Sequence, residues 1–124
     1  MEGKREGARG SEAFPRRYRL GGNRNYRYVY RKGKAYPSRN LVLIHLKGRD
    51  QKIGFSVSSK VGNAVTRNRI RRCLREDVRR MRGGMKAGRY VFIARTGIVD
   101  VPHAALTREI RKLLGRANLL KDEP

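Results

Sequence analysis

This chain has little with which to perform catalysis. Of its 124 residues only ten are Asp or Glu, two are His and one is Cys. The lone Cys73 has no partner for an intramolecular disulfide, fits a reducing cytoplasm, and reads as a small buried hydrophobe on an apolar stripe. No apolar run approaches the roughly 20 residues needed to span a bilayer. The opening stretch MEGKREGARGSEAF is charged without an apolar centre, so it does not read as a secretory signal. His45 and His103 lie far apart, in no spacing that predicts a metal site. Glu76 and Asp77, set among arginines, read as local charge balancing and not as a two-metal nuclease centre. A phosphate-binding GxxxxGK[ST] loop, a CxxC pair and a serine elbow are all missing. On its residues alone the chain is not an autonomous catalyst.

Positive charge is what it has in excess. A formal net charge of +22 and a pI near 11.5 make self-repulsion large. A polyanion, nucleic acid above all, relieves it most readily. The charge is densest from Lys60 to Glu76, where Gly62 and Asn63 predict a turn and helical apolar spacing follows. On a wheel of about 100° per residue, Ile70, Cys73, Leu74, Val78 and Met81 form one stripe. Asn68, Arg71, Arg72, Arg75 and Arg79 share the adjacent face. Solvated helices interleave glutamates for i,i+4 pairing; here Glu76 and Asp77 are outnumbered. Arginine outweighs lysine, and its planar fork suits phosphate oxygens and base faces.

The rest of the chain reads as one small domain. Residues 1–18 offer almost nothing to bury and are expected to form a disordered basic arm; 19–120 form a single α+β domain and 121–124 a frayed tail. A first helix is expected at about 23–32, with Asn23 as N-cap and Gly33 as stop. Tyr26, Tyr28 and Tyr30 alternate there with Arg24, Arg27 and Arg31. Aromatics at such spacing serve either core packing or base stacking; Tyr26 and Tyr30, four apart, share a face and are the better stacking pair. Residues 33–40 read as a loop, Leu41–Leu46 as a strand, and 52–58 as a second strand joined to it by an antiparallel hairpin. In the latter Ile53, Phe55 and Val57 face the core. Gly54, Ser56 and Ser58 either admit a ligand backbone or line an exposed sheet face. Arg89–Arg95 predicts a third strand. A last helix follows Asp100 and Pro102, with Leu106, Ile110, Leu113, Leu114 and Ala117 inward and Arg108, Arg111 and Lys112 outward. The expected architecture is a small two-layer α/β sandwich, a mostly antiparallel sheet covered by helices.

The series Lys60, Gly62, Ala64-Val65, Arg67-Asn68-Arg69, Arg71-Arg72 and Arg75, preceded by Gly54-Phe55-Ser56-Val57-Ser58, resembles the signature of the bacterial ribonuclease P protein family. The resemblance spans roughly Arg19 to Leu114. It implies a left-handed strand-helix-strand crossover and a fourth strand, which would come from splitting or extending those named. It also implies two RNA partners: the catalytic RNA subunit of ribonuclease P, and precursor tRNA whose 5′ leader the ribonucleoprotein removes. Magnesium would be held mainly by the RNA. Carried onto this chain, Lys60, Arg67, Asn68, Arg69, Arg71, Arg72 and Arg75 become the RNA-binding set. Tyr26, Tyr30, Ile44, Ser56 and Ser58 become the leader cleft. The family often has a third aromatic where Ile44 stands, and an aliphatic side chain cannot stack on a base. No membrane, small-molecule substrate, protein-held metal or catalytic protein residue is expected, and the cytoplasm is the expected compartment. The rival reading is a ribosomal or other structural RNA-binding protein without a processing role, which needs no leader cleft.

Overall fold

Two strands with apolar residues on both faces form the centre of the sheet. The computed structural model describes residues 14–121. Its helices and strands, in chain order, are α1 (Asn23–Lys32), β1 (Lys34–Pro37), β2 (Leu41–Leu46), β3 (Gln51–Ser56), α2 (Ala64–Met81), β4 (Gly88–Ala94) and α3 (His103–Arg116). The sheet order is β1-β2-β4-β3. β1 pairs antiparallel with β2, and β2 antiparallel with β4, Leu43 opposite Phe92. β3 pairs parallel with β4, Phe55 beside Phe92. The α+β class and the mostly antiparallel sheet expected from the sequence are therefore present.

Period-two alternation splits the core between the faces. Leu41, Leu43, Ile53, Tyr90 and Phe92 bury on one side with Ile70, Leu74 and Val78 of α2 and Leu106, Ile110, Leu113 and Leu114 of α3. Val91 buries on the other side with Val29 of α1 and with Leu20, which precedes that helix, and Tyr26, Ile44, Leu46 and Ile93 pack around them. A single-helix layer thus joins the two layers foreseen. The predicted α2 stripe is the inner one: Ile70, Leu74 and Val78 are buried, and Cys73 and Met81 pack against them. Burial pushes the Cys73 thiol up, against the opposing pull of Arg69 and Arg72, which suits an inert core contact.

Several expectations need correction. Strands β2 and β3 form no hairpin, because β4 lies between them and takes both as partners. The hairpin is β1–β2, from the segment read as loop; Pro37 and Ser38 mark its end, and Ser38 N donates to Leu41 O. This is the fourth strand, and it comes from neither splitting nor extending another. Gly33 ends α1 at a negative φ, so it is not needed for a left-handed turn; a Cβ there would lie 2.7 Å from Val29 O and 2.8 Å from Ile44 Cγ2. Close approach is what demands glycine. Asn23 is the first residue of α1 and not its cap, which is Gly22. By contrast Asn63 caps α2, accepting from Thr66 N at 2.9 Å.

The domain starts earlier than the sequence suggests. Phe14 is fully buried and meets Phe55 edge-on at 5.7 Å. Arg16–Tyr18 forms a 3₁₀ turn, Tyr18 lies under the Arg82 guanidinium at 3.7 Å, and Leu20 N donates to Ile53 O. This segment covers the outer edge of β3. The remainder of the predicted arm, residues 1–13, lies outside the described residues, as does 122–124 of the tail; Lys121 N is bonded to Gly84 O. Among the described residues no helix is long and apolar enough to cross a membrane.

Asp77 is not a surface charge balancer; Glu76 is, pairing with Arg79 and Arg80. Asp77 is buried at 2 % exposure, where its Oδ1 lies 3.0 Å from His103 Nε2 and accepts from Thr107 Oγ1 at 2.9 Å. It ties α2 to α3. Asp77→Ala should lower stability by about 0.5–1.5 kcal/mol by removing the hydrogen bonds that tie α2 to α3, as read by urea denaturation. A second test concerns Tyr90, whose hydroxyl donates to Lys86 O at 2.6 Å and is pushed up to about 12 by burial. The raised value favours the neutral phenol, so its contribution is complete below about pH 10 and disappears as pH rises through 12. Stability should fall across that window more steeply in the native chain than in Tyr90→Phe.

Candidate nucleic-acid interface

At the far end of β3 the covering segment stops and a cleft opens. Its lining comes from α1 (Asn23, Tyr26, Arg27, Tyr30), from β3 and the residue after it (Phe55, Ser56, Val57), and from Arg71 of α2, around a volume of about 380 Å³. The helices lie on opposite faces of the sheet, and the edge strand between them forms the floor. Asn23, Tyr26, Arg27 and Tyr30 reach it together because i, i+3, i+4 and i+7 share one helix face. The Tyr26 and Tyr30 rings meet edge-on with centroids 6.3 Å apart. Tyr30 is 40 % exposed, so its ring is open to a ligand.

Tyr26 is seated by the strand beneath it. Phe55 N donates to Tyr26 Oη at 3.2 Å, and Gly54 carries no side chain where the ring lies; a Cβ there would be 2.6 Å from Tyr26 Cζ. Burial raises the Tyr26 pKa, outweighing the Phe55 hydrogen bond and the pull of Arg75 and Arg71. The ring therefore presents a neutral phenol. A smaller recess of about 90 Å³ adjoins the cleft, lined by Phe14, Arg19, Leu20, Tyr26, Ile53, Gly54, Phe55, Arg71 and Arg75. Burial, then the like charges of Arg19 and Arg71, disfavour the charged form of Arg75. An anion entering here relieves that repulsion.

The basic set divides into rows. Arg67, Arg71 and Arg75 run at i, i+4, i+8 along the flank nearest the cleft. Arg67 Nε donates to Gly62 O at 3.0 Å; Arg71 donates to Asn68 Oδ1 at 3.0 Å and reaches Val57 O at 3.4 Å. Asn68, Arg69, Arg72 and Lys60 are exposed, on the outer side of the helix and in the turn before it. Of the predicted cleft set, Tyr26, Tyr30 and Ser56 come together. Ile44 does not line the cleft; it packs beneath α1 in the second cluster. Ser58 is exposed beyond the end of β3 and does not line it either. Asn23, Arg27, Phe55 and Val57 were missed. The first two were legible from their shared face with the tyrosines; the last two required knowing that β3 is an edge strand. Among the described residues no group of three His, Cys, Asp or Glu is close enough to hold a metal ion.

Comparison with known proteins gives this arrangement a family. A family model described as Ribonuclease P matches residues 14–118. The chain belongs to the ribonuclease P protein family. The ribonuclease P protein component of Oceanobacillus iheyensis is 35% identical over 111 residues, covering 86% of this chain and 92% of that relative. That of Nitratiruptor sp. is 37% identical over 93 residues, covering 75% and 85%. Among solved structures, the Staphylococcus aureus RNase P protein superposes with a TM-score of 0.79 at 29% identity, covering 84% of this chain and 98% of that one. The Thermotoga maritima protein gives 0.73 at 28%, covering 79% and 96%. The chain is thus the protein subunit of an RNA-based endoribonuclease that removes 5′ leaders from tRNA precursors. Membership of this family implies association with the RNase P RNA and tRNA substrates.

The seat of Tyr26 on Gly54 is open to a direct test. Gly54→Ala should cost about 1–3 kcal/mol through overpacking, and the cost should shrink when Tyr26→Ala is present. Additive penalties in a denaturation cycle would place the ring elsewhere.

Proposed function

We propose that the Tyr26–Tyr30 cleft holds the single-stranded 5′ leader of precursor tRNA while the outward row of α2 lies on the catalytic RNA subunit. The observation that carries this reading is an exposed tyrosine ring and a guanidinium converging on one open cleft floored by an edge strand. Unpaired bases offer faces for Tyr26 and Tyr30 to stack on, and the adjoining backbone offers phosphates to Arg27, Arg71 and Arg75. A paired duplex hides those base faces. Ser56 supplies a small hydroxyl on the floor, leaving room for a sugar-phosphate chain. Lys60, Asn68, Arg69 and Arg72, exposed away from the cleft floor, face the RNA subunit, with Arg67, Arg71 and Arg75 shared between the two sides.

Both contacts are proposed to work by positioning and charge neutralisation. Phenol, hydroxyl and guanidinium groups do not fit a magnesium ion, which prefers carboxylate and phosphate oxygens. The magnesium of the reaction is therefore assigned to the RNA, and the protein takes no chemical step. The reading places this work in the cytoplasm, with no small-molecule substrate and no membrane.

The test compares precursor tRNA with mature tRNA binding to holoenzyme assembled from the native chain or from Tyr30→Ala. Loss of one stacked base is worth about 1–3 kcal/mol, so the variant should bind the leader-bearing RNA roughly tenfold more weakly. Mature tRNA should bind both equally well. An equal loss for both RNAs would move Tyr30 away from the leader.

A further inference from the structure

The proposed interface leaves most of the positive charge unused, and part of the remainder is organised at the opposite edge of the sheet. Beside the β1–β2 hairpin a recess of about 280 Å³ is lined by Ser38, Arg39, Ala105, Arg108, Glu109, Lys112, Leu113 and Arg116. Arg108, Lys112 and Arg116 follow one another at i, i+4, i+8 along α3, about 6 Å apart along the axis, and Arg39 closes the row from the hairpin. All four are exposed. With the sheet order β1-β2-β4-β3, this recess and the cleft lie at opposite edges.

A solvated helix face explains such a row when carboxylates alternate with the cations. Here they do not. Glu109 is the only acidic residue of α3, and its carboxylate is turned into the hairpin. Its Oε1 accepts from Asn40 Nδ2 at 2.7 Å; its Oε2 accepts from Asn40 N at 2.7 Å and Ser38 Oγ at 2.5 Å. Burial alone would raise its pKa, but these bonds and the charge of Arg39 outweigh it and hold the carboxyl below its usual range. Glu109 is therefore a fixed anion in use as a structural acceptor. Arg116 Nη2 donates to Pro37 O, and Arg95 Nη1 donates to Ser38 O at 2.9 Å. Two guanidiniums are thus immobilised on backbone carbonyls at the hairpin end. Among the described residues no carboxylate forms a salt bridge with Arg39, Arg95, Arg108, Lys112 or Arg116.

We propose that this recess is a second polyanion site, which takes the phosphate backbone of an RNA segment other than the one lying along α2. The chain would then bridge two RNA segments from opposite edges of its sheet. Cations at one-turn intervals can each meet a different phosphate, and the absence of aromatics in the lining predicts contact with backbone and not with bases. The site does not depend on the leader reading of the cleft.

The experiment uses the double variant Arg108→Gln/Lys112→Gln of the full chain, whose two side chains are exposed and make no hydrogen bond or ion pair with the described residues. Binding to the RNase P RNA and, in a separate arm, to precursor tRNA is measured across a salt series. Removing two phosphate contacts should flatten the slope of log K against log salt by roughly 1.5 in the arm that supplies the segment. Affinity there should fall roughly tenfold at low salt, while the preference for leader-bearing over mature tRNA is retained. The charge-keeping variant Arg108→Lys/Lys112→Arg should retain the native slope, which separates loss of charge from loss of fold. An unchanged slope in both RNA arms overturns the proposal, whether or not binding to phosphatidylserine vesicles falls. A slope that flattens equally in the charge-keeping variant overturns it as well.

Discussion

The interface depends on one close contact, the Tyr26 phenol lying over the bare backbone of Gly54. It brings α1 down onto β3 from the face opposite α2, so that the two helices meet only across a single edge strand. A side chain at Gly54 would lift the helix and widen the cleft. The hydrogen bond from Phe55 N uses a donor on the outer edge of β3, beyond which no strand lies among the described residues. Edge strands expose such groups and must cover or employ them. Residues 14–20 cover the first half of this edge, the tyrosine takes the next donor, and the cleft opens where the edge is left free.

The same residues serve stability and recognition in different proportions. Ile70, Leu74 and Val78 anchor α2 so firmly that its other faces need not contribute to folding. Those faces can therefore carry like charges in excess of what Glu76 balances, and a bound polyanion relieves the repulsion that is left. Asp77 holds the rear of α2 against α3 through His103 and Thr107, fixing the direction in which the arginines point. A charged helix can be precise only if its buried side is rigid.

Local signals were legible in the sequence; pairings across the chain were not. The basic helix, its turn at Gly62-Asn63, its inner stripe and the Leu41–Leu46 strand follow from periodicity that nothing in the tertiary structure contradicts. Strand β1 was hidden because Lys34–Pro37 is short, mostly exposed and ends in proline, which an edge strand tolerates. The β2–β3 hairpin was a false inference from adjacency, since Gly48-Arg49-Asp50 has turn composition whether or not the strands it joins are neighbours. Phe14 was lost among charged residues, and its burial and ring contact with Phe55 show that the domain includes it. In the site, the tyrosine pair was legible because it lies on one helix. Ile44 and Ser58 were misplaced because their surroundings depend on which strand forms the edge.

The strand order also has a consequence for how the chain is made. β3 is synthesised before α2, yet among the described residues its only strand partner is β4, which follows α2. Hairpin β1–β2 can close at once, whereas β3 must wait for some thirty further residues. During that interval a strongly cationic segment follows a sheet that consists of the β1–β2 hairpin alone. The long separation between partners makes folding of this half slow and leaves its strand exposed on the way. The basic helix is therefore complete in the chain before the strand that fixes its place against the sheet.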